Sequence, residues 1–242
     1  MEPFKETAMK RLDFYYFLTL GLILLALFGV PHFKHHTKHS TAAPTKEQLA
    51  SHMITLLNPE GEEQGVCTAT AIGPHAILTA EHCDKGGKYP SLLLDRSTEP
   101  HNVMASVYDG RDHVILLLDG APFERYETII SATDSIYKIV VLYGDGHGEY
   151  PPVAKYGTIV SCEDPSDIDA YAGQICFTLP VIPGDSGSAI YNTKGEVVGV
   201  VTYQYTDEDS NIKAIGFALD FPQLILDTAY TFDGTEEGLP KP

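Results

Sequence analysis

The strongest constraint on this chain is a rhythm of short apolar runs. From about residue 51 to 230, runs such as Ala69–Ile72, Ala76–Thr79, Val114–Leu118, Ile139–Tyr143, Thr158–Val160, Val197–Tyr203 and Ile215–Leu219 alternate with Gly, Pro, Asn and Asp. The runs are rich in Val, Ile, Thr and Tyr, residues that suit a pleated, half-buried surface. Gly73-Pro74 and Asn192-Thr-Lys-Gly195 read as turns. Helical periodicity is confined to Phe221–Tyr230. Regular short strands over about 180 residues predict an all-β barrel or sandwich. Arg125–Lys138 is the least patterned middle stretch, where a boundary between two barrels would fall.

Charge divides the chain unevenly. Residues 1–44 hold five Lys/Arg against three Asp/Glu, and the other 198 hold 11 against 30, a body charge of −19. Such a body is repelled by nucleic-acid phosphates and by anionic lipid, so neither is an expected partner of the domain itself. Phe14–Val30 is 17 residues without a charge, the short end of a membrane span and the long end of a signal-peptide core. Lys5, Lys10 and Arg11 precede it and no small-x-small cleavage site follows. The expectation is an uncleaved anchor: residues 1–13 cytoplasmic, 14–30 in the bilayer and the body outside. The alternative is secretion after cleavage, and either places the body in an oxidising compartment. Residues 31–50, with His32, His35, His36 and His39, read as a polar tether rather than a metal site. Residues 231–242 read as an acidic, poorly ordered tail. Cys67, Cys83, Cys162 and Cys176 are too widely spaced for a zinc knuckle; their even number suggests two disulfides, with three pairings open.

Three segments carry chemistry, in the order His, Asp, Ser. In Leu78-Thr-Ala-Glu-His-Cys83 a strand ends directly at His82, a placement that would hold a general base still. In Gly110-Arg-Asp-His-Val-Ile-Leu-Leu-Leu118 a carboxylate stands at the mouth of a core strand, where it can orient an imidazole. Asp112 is the choice there, with Asp109 and Asp95 as alternatives. In Pro183-Gly-Asp-Ser-Gly-Ser-Ala-Ile190 a serine between glycines allows a sharp turn, and the N–H groups of Gly184 and Ser186 become candidates for an oxyanion hole. A Gly-x-Ser-x-Gly elbow of an α/β-hydrolase would need a helix after the serine and the order Ser, Asp, His. Here Ser186 comes last and a hairpin pattern, Ala189–Tyr203, follows it.

Together, Thr79-Ala-Glu-His-Cys83, Asp112 before its apolar run and Gly184-Asp-Ser-Gly187 resemble the signature blocks of the chymotrypsin-like serine proteases. Gly195–Thr202 and Ala214–Leu219 resemble strands of the bacterial trypsin-like and high-temperature-requirement members. The resemblance spans about residues 60–225 and is nearest to bacterial and viral members. It implies two antiparallel β-barrels, about 51–130 and 138–225 within a domain of 51–230, with the active site in the cleft between them. It implies a serine endopeptidase acting on protein or peptide through His82, Asp112 and Ser186, with no metal or cofactor. It implies the disulfides Cys67–Cys83 and Cys162–Cys176, and a specificity pocket built on Pro180, Val181, Thr202, Tyr203 and Gln204.

The match has departures. Glu81 replaces the Ala usual before the family's His, and Ser188 replaces the second Gly after its nucleophile. Pro180 stands where the trypsin subgroup carries an acidic residue, so a preference for small or apolar side chains is expected over Lys or Arg. No Ile-Val-Gly-Gly-like activation site is visible, which implies a domain that needs no zymogen cleavage. Two rivals use the same residues: an inactive protease fold serving as a tethered binding module, and an esterase with the same triad.

Overall fold

The computed structural model describes residues 45–120, 123–129, 139–144, 152–160, 174–206, 212–217 and 219–239. The hydrophobic segment 14–30, the four histidines of the tether and Cys162 lie outside the described residues. Among the described residues no helix is long and apolar enough to cross a membrane. The chain enters through a short helix, α1 (Lys46–Ala50). The Thr45 hydroxyl accepts the Gln48 N–H at 3.3 Å, and the Gln48 side chain accepts the Thr45 N–H at 2.9 Å. This reciprocal cap satisfies two otherwise orphaned donors. The last residues expected to be tether are therefore helical.

Six antiparallel strands then close a barrel: β1 (Ser51–Leu57), β2 (Glu63–Gly73), β3 (Ala76–Ala80), β4 (Ser91–Leu94), β5 (His101–Tyr108) and β6 (His113–Leu118), in the order β1-β2-β3-β6-β5-β4. A one-turn helix, α2 (Glu81–Asp84), follows β3. Successive strand residues face opposite sides. Val114, Leu116 and Leu118 of β6 pack inside the barrel with Ile54, Ile77 and Leu92. Ile115 and Leu117 pack on the other face with Ile72, Leu78 and residues of a later helix. Both faces of β6 are covered, which is why it reads as an unbroken apolar run rather than an alternating one. Each of these side chains gains about 1.5–3 kcal/mol from burial.

The later helix, α3 (Gln223–Thr231), is the helical stretch expected near Phe221–Tyr230. It lies hard against the barrel at Gly73, where a Cβ would come within 2.1 Å of the Ala229 carbonyl oxygen. The tail expected to be loose is folded as far as residue 239. Phe232, only 2% exposed, anchors it edge-on to His75, and Thr235 caps a 3-10 turn at Glu236–Gly238.

The second half holds β7 (Ile139–Gly144), β8 (Val153–Val160), β9 (Gln174–Phe177), β10 (Ala189–Asn192), β11 (Val197–Val200), β12 (Tyr203–Thr206) and β13 (Ile212–Phe217). They form an antiparallel sheet in the order β11-β10-β7-β8-β9-β13-β12 around Val140, Leu142, Phe177, Leu179, Ile190 and Val198. The expected second barrel is thus, among the described residues, an unclosed sheet. The seam lies between β11 and β12, joined by Val201-Thr202. There the Val201 N–H donates to the Ser188 carbonyl and the Val201 carbonyl accepts the Gly187 N–H, at 2.9 and 2.8 Å. Backbone groups that would extend a ladder hold the serine turn instead. Across the two halves, the Ser51 hydroxyl donates to the buried Tyr143 carbonyl at 2.8 Å.

Candidate active site

The end of β3 delivers His82. Ala80 pairs with His113, the first residue of β6, so the segment after β3 and the segment before β6 meet. Asp112 sits at that junction in the left-handed region, φ +63°, next but one to Gly110 at +74°. Three hydrogen bonds fix the contact. The Glu81 N–H donates to the Asp112 carbonyl at 2.9 Å, the His82 N–H donates to Asp112 Oδ1 at 2.9 Å, and His82 Nδ1 lies 2.8 Å from Asp112 Oδ2. The carboxylate thereby holds both the backbone and the ring, and a proton on Nδ1 leaves Nε2 as the basic nitrogen. The pair is reachable from solvent, with 38% of the His82 side chain and 15% of the Asp112 side chain exposed.

The floor under His82 is braced twice. A disulfide joins Cys83 to Cys67 of β2, as the resemblance implied. Closing a loop of this size contributes about 3 kcal/mol in the chain-entropy model. On the other side Asp84, fully buried, accepts the Tyr108 hydroxyl at 2.5 Å and the Gly87 N–H at 2.8 Å. Burial, reinforced by that carboxylate, pushes the Tyr108 phenol up to about 12. Glu81 contributes through its backbone: its N–H docks Asp112 and its carbonyl accepts the Lys85 N–H at 2.9 Å.

Ser186 arrives from the other half on a turn with Gly184 at φ +100° and Gly187 at +86°, values that an L side chain rarely adopts. The turn docks onto β2 and lies against β3 and α2, the strand and helix that carry His82. The Thr68 N–H donates to the Ser186 carbonyl at 2.9 Å and the Thr68 hydroxyl to the Gly184 carbonyl at 2.8 Å. A Cβ at Gly187 would come within 2.1 Å of both the Thr68 carbonyl oxygen and the Thr79 hydroxyl. The Cys83 sulfur is 3.9 Å from the Ser186 carbonyl oxygen. Thr68 and Thr79 thus join the two halves of the site. Sequence reasoning missed Thr68, and Thr79 stood in the quoted His block without a role.

The alternative carboxylates have partners of their own. Asp95 Oδ2 is 2.6 Å from His52 Nδ1, and Asp109 Oδ2 is 2.7 Å from His113 Nδ1. Of the three candidates, Asp112 is the one that meets His82. The expected specificity residues divide. Tyr203, half exposed, stacks over the His82 ring with centroids 6.0 Å apart and planes 21° apart. Pro180 and Gln204 are exposed. Val181 is instead packed in the core of the second sheet, and Thr202 is equally buried, its hydroxyl 3.4 Å from the Val200 carbonyl. Neither offers a substrate an open wall; the apolar Val181 is drawn inward with Leu179, and Tyr203 projects in its place. The expected Cys162–Cys176 disulfide lies outside the described residues. No group of three or more metal-ligating side chains occurs among the described residues.

Comparison with known proteins gives the family and the fold. Residues 67–200 match the family model of the trypsin-like peptidase domain. Among solved structures, the Rv3671c protease from M. tuberculosis in its active form superposes with a TM-score of 0.55 at 19% identity, covering 71% of this chain and 77% of that one. Its inactive form gives 0.54 at 19% identity, covering 71% and 84%. The HtrA-type protease AlgW with tripeptide gives 0.57 at 14% identity, covering 76% of this chain and 62% of that one. At these identities the likeness is one of fold. No curated protein matches the sequence.

Proposed function

We propose that this chain, which belongs to the trypsin-like peptidase family and is a serine-type peptidase, is an endopeptidase that works through His82, Asp112 and Ser186. The observation that carries this reading is the docking of the Ser186 turn, through Thr68 and Thr79, onto the segment where Asp112 holds His82. His82 Nε2 takes the proton of the Ser186 hydroxyl as its oxygen attacks a peptide carbonyl. The N–H groups of Gly184 and Ser186 stabilise the oxyanion. The imidazolium then protonates the leaving amine, and water, deprotonated by His82, releases the acid and restores Ser186. Tyr203, beside His82, forms an aromatic wall for the substrate residue next to the scissile bond. The test is labelling of the full chain with a fluorophosphonate, wild type beside Ser186→Ala. Labelling of wild type alone is expected; equal labelling of both would remove Ser186 as the nucleophile.

We also infer that residues 14–30 hold the protease to a bilayer with its body outside the cytoplasm. The uncharged run with basic residues before it supports this, as does the Cys67–Cys83 disulfide, a bond that persists in oxidising compartments. Carbonate extraction of membranes from cells making the full chain should leave it in the pellet. Recovery in the supernatant would favour cleavage and secretion.

A further inference from the structure

One face of the second sheet carries three tyrosines that the chemistry at Ser186 does not use. Side chains alternate along a strand, so Val141 and Tyr143 of β7 share a face, as Tyr191 of β10 and Tyr156 of β8 do with them. Register sets Tyr191 beside Val141 and Val141 beside Tyr156. Val141 therefore lies between two rings. Tyr143 stands edge-on to Tyr191, with centroids 5.8 Å apart. These four residues line a cavity of about 260 Å³ together with Glu47 of α1 and the turn after β10. Gly195 in that turn, at φ +77°, leaves room for the carboxylate: a Cβ there would come within 2.8 Å of Glu47 Oε1. None of His82, Asp112 and Ser186 lines the cavity, and β10 runs away from the Ser186 turn toward it.

We propose that this cavity is a recognition site, separate from the catalytic residues, that takes the arginine side chain of a polypeptide between its tyrosine rings and Glu47. Tyr191 and Tyr143, both buried, give fixed walls, and Tyr156, 68% exposed, gives a wall that a ligand can reach. An aromatic face attracts a cation, and a planar guanidinium also stacks on it. Glu47 supplies the opposite charge. Among the described residues it has no ion-pair partner: the neighbouring Lys46 is taken by Glu127 at 2.8 Å, and Lys194, on the adjoining turn, does not line the cavity. Burial pushes the Tyr143 phenol up, and the Glu47 charge adds to this against a hydrogen bond with Thr45, so carboxylate and ring share one environment. A carboxylate can accept two parallel N–H bonds from a guanidinium, whereas a quaternary ammonium offers none. The space is smaller than usual for a small-molecule site and suits a single side chain. The acidic body favours the approach of basic polypeptides. The site does not depend on the peptidase reading; in a peptidase it holds a substrate by a residue remote from the cut bond.

The test uses the full chain carrying Ser186→Ala, so that no probe is cut, and the peptide acetyl-Gly-Gly-Arg-Gly-Gly-amide. Saturation-transfer NMR against peptide concentration should give a Kd of about 1 mM, the weak end of the affinity scale. The same peptide with citrulline, which keeps the shape of arginine but not its charge, should bind at least about tenfold more weakly. Adding Glu47→Gln should weaken the arginine peptide about as much. Tyr156→Ala should weaken it about threefold to tenfold. Tyr156 is exposed and Glu47 half-buried, so neither substitution opens the core, and the citrulline comparison needs no substitution at all. Glu60→Gln, in the exposed turn between β1 and β2, should leave the Kd as it was, which separates the cavity from attraction to acidic surface. Citrulline binding within about twofold of arginine overturns the site, as does a Kd that Glu47→Gln leaves within about twofold or an equal loss in Glu60→Gln. Absence of saturable binding up to about 20 mM overturns it too. Tetramethylammonium that binds more tightly than the arginine peptide overturns the choice of arginine.

Discussion

Two imidazole–carboxylate pairs flank a single peptide bond, the one between Asp112 and His113. His82–Asp112 and His113–Asp109 have nearly the same contact distance, 2.8 and 2.7 Å. Their surroundings differ. The first lies at the open mouth of the barrel, and both side chains of the second are fully buried. Asp109 also accepts the Arg111 N–H at 2.8 Å and the Asp220 N–H at 3.1 Å. The sealed pair thus closes the tight turn that ends at Asp112 in its left-handed conformation, and ties it to the segment leading into α3. A non-glycine residue in that conformation costs about 1–2 kcal/mol, which the surroundings must offset. The same two functional groups therefore stand in different settings: exposed, they are open to proton exchange with solvent; enclosed, they brace the turn that carries the exposed pair.

The comparison breaks most sharply under substitution. Asp112→Asn should lower the rate of fluorophosphonate labelling about 10⁴-fold, because the amide no longer fixes the His82 tautomer or balances the imidazolium. Its melting temperature should stay within a few degrees of wild type, since the pair is reachable by water. Asp109→Ala should behave in the opposite way. It takes the carboxylate from buried His113 and leaves two N–H groups without this acceptor, so unfolding should be easier by about 3–5 kcal/mol. Labelling per folded molecule should fall far less than for Asp112→Asn. Calorimetry and labelling rates on the two variants decide the matter: a stable Asp109→Ala as inactive as Asp112→Asn would mean that the sealed pair takes part in the chemistry.

These pairs also mark what was legible in the sequence. The strand rhythm, α3, the His82–Asp112 partnership and the Cys67–Cys83 bridge could be read, because each depends on local pattern or on a spacing that the family resemblance supplies. Asp109 and Asp95 could only be kept as alternatives to Asp112. All three carboxylates meet a histidine, and which histidine depends on barrel register: Ala80 opposite His113 selects Asp112 for His82. Thr68 was not legible at all, since it meets a turn 118 residues further along the chain, at Ser186. The loose tail was misjudged for a related reason: acidic composition hid one aromatic anchor, Phe232. Among the described residues the second half is a seven-stranded sheet, and the backbone of Val201, which looks like any strand residue, serves the nucleophile turn.

The smallest effect separates the two pairs by pH. Burial alone would raise the Asp109 carboxyl, but the hydrogen bond and charge of His113, helped by the Arg111 and Asp220 N–H groups, outweigh it and hold the group below its ordinary 3.8. A carboxyl depressed in the folded state adds stability above the pKa of the unfolded chain, and that contribution is lost as pH falls through the folded value. Wild type should therefore lose stability on acidification below about pH 4 in a way that Asp109→Asn does not. In melts from about pH 6 to 2.5, the gap between the two should be widest at the neutral end and should narrow once the unfolded carboxyl begins to protonate. A gap that stays constant across the range would show that Asp109 is not held low, and that the sealed pair stabilises the turn by its hydrogen bonds without a net gain from its charge.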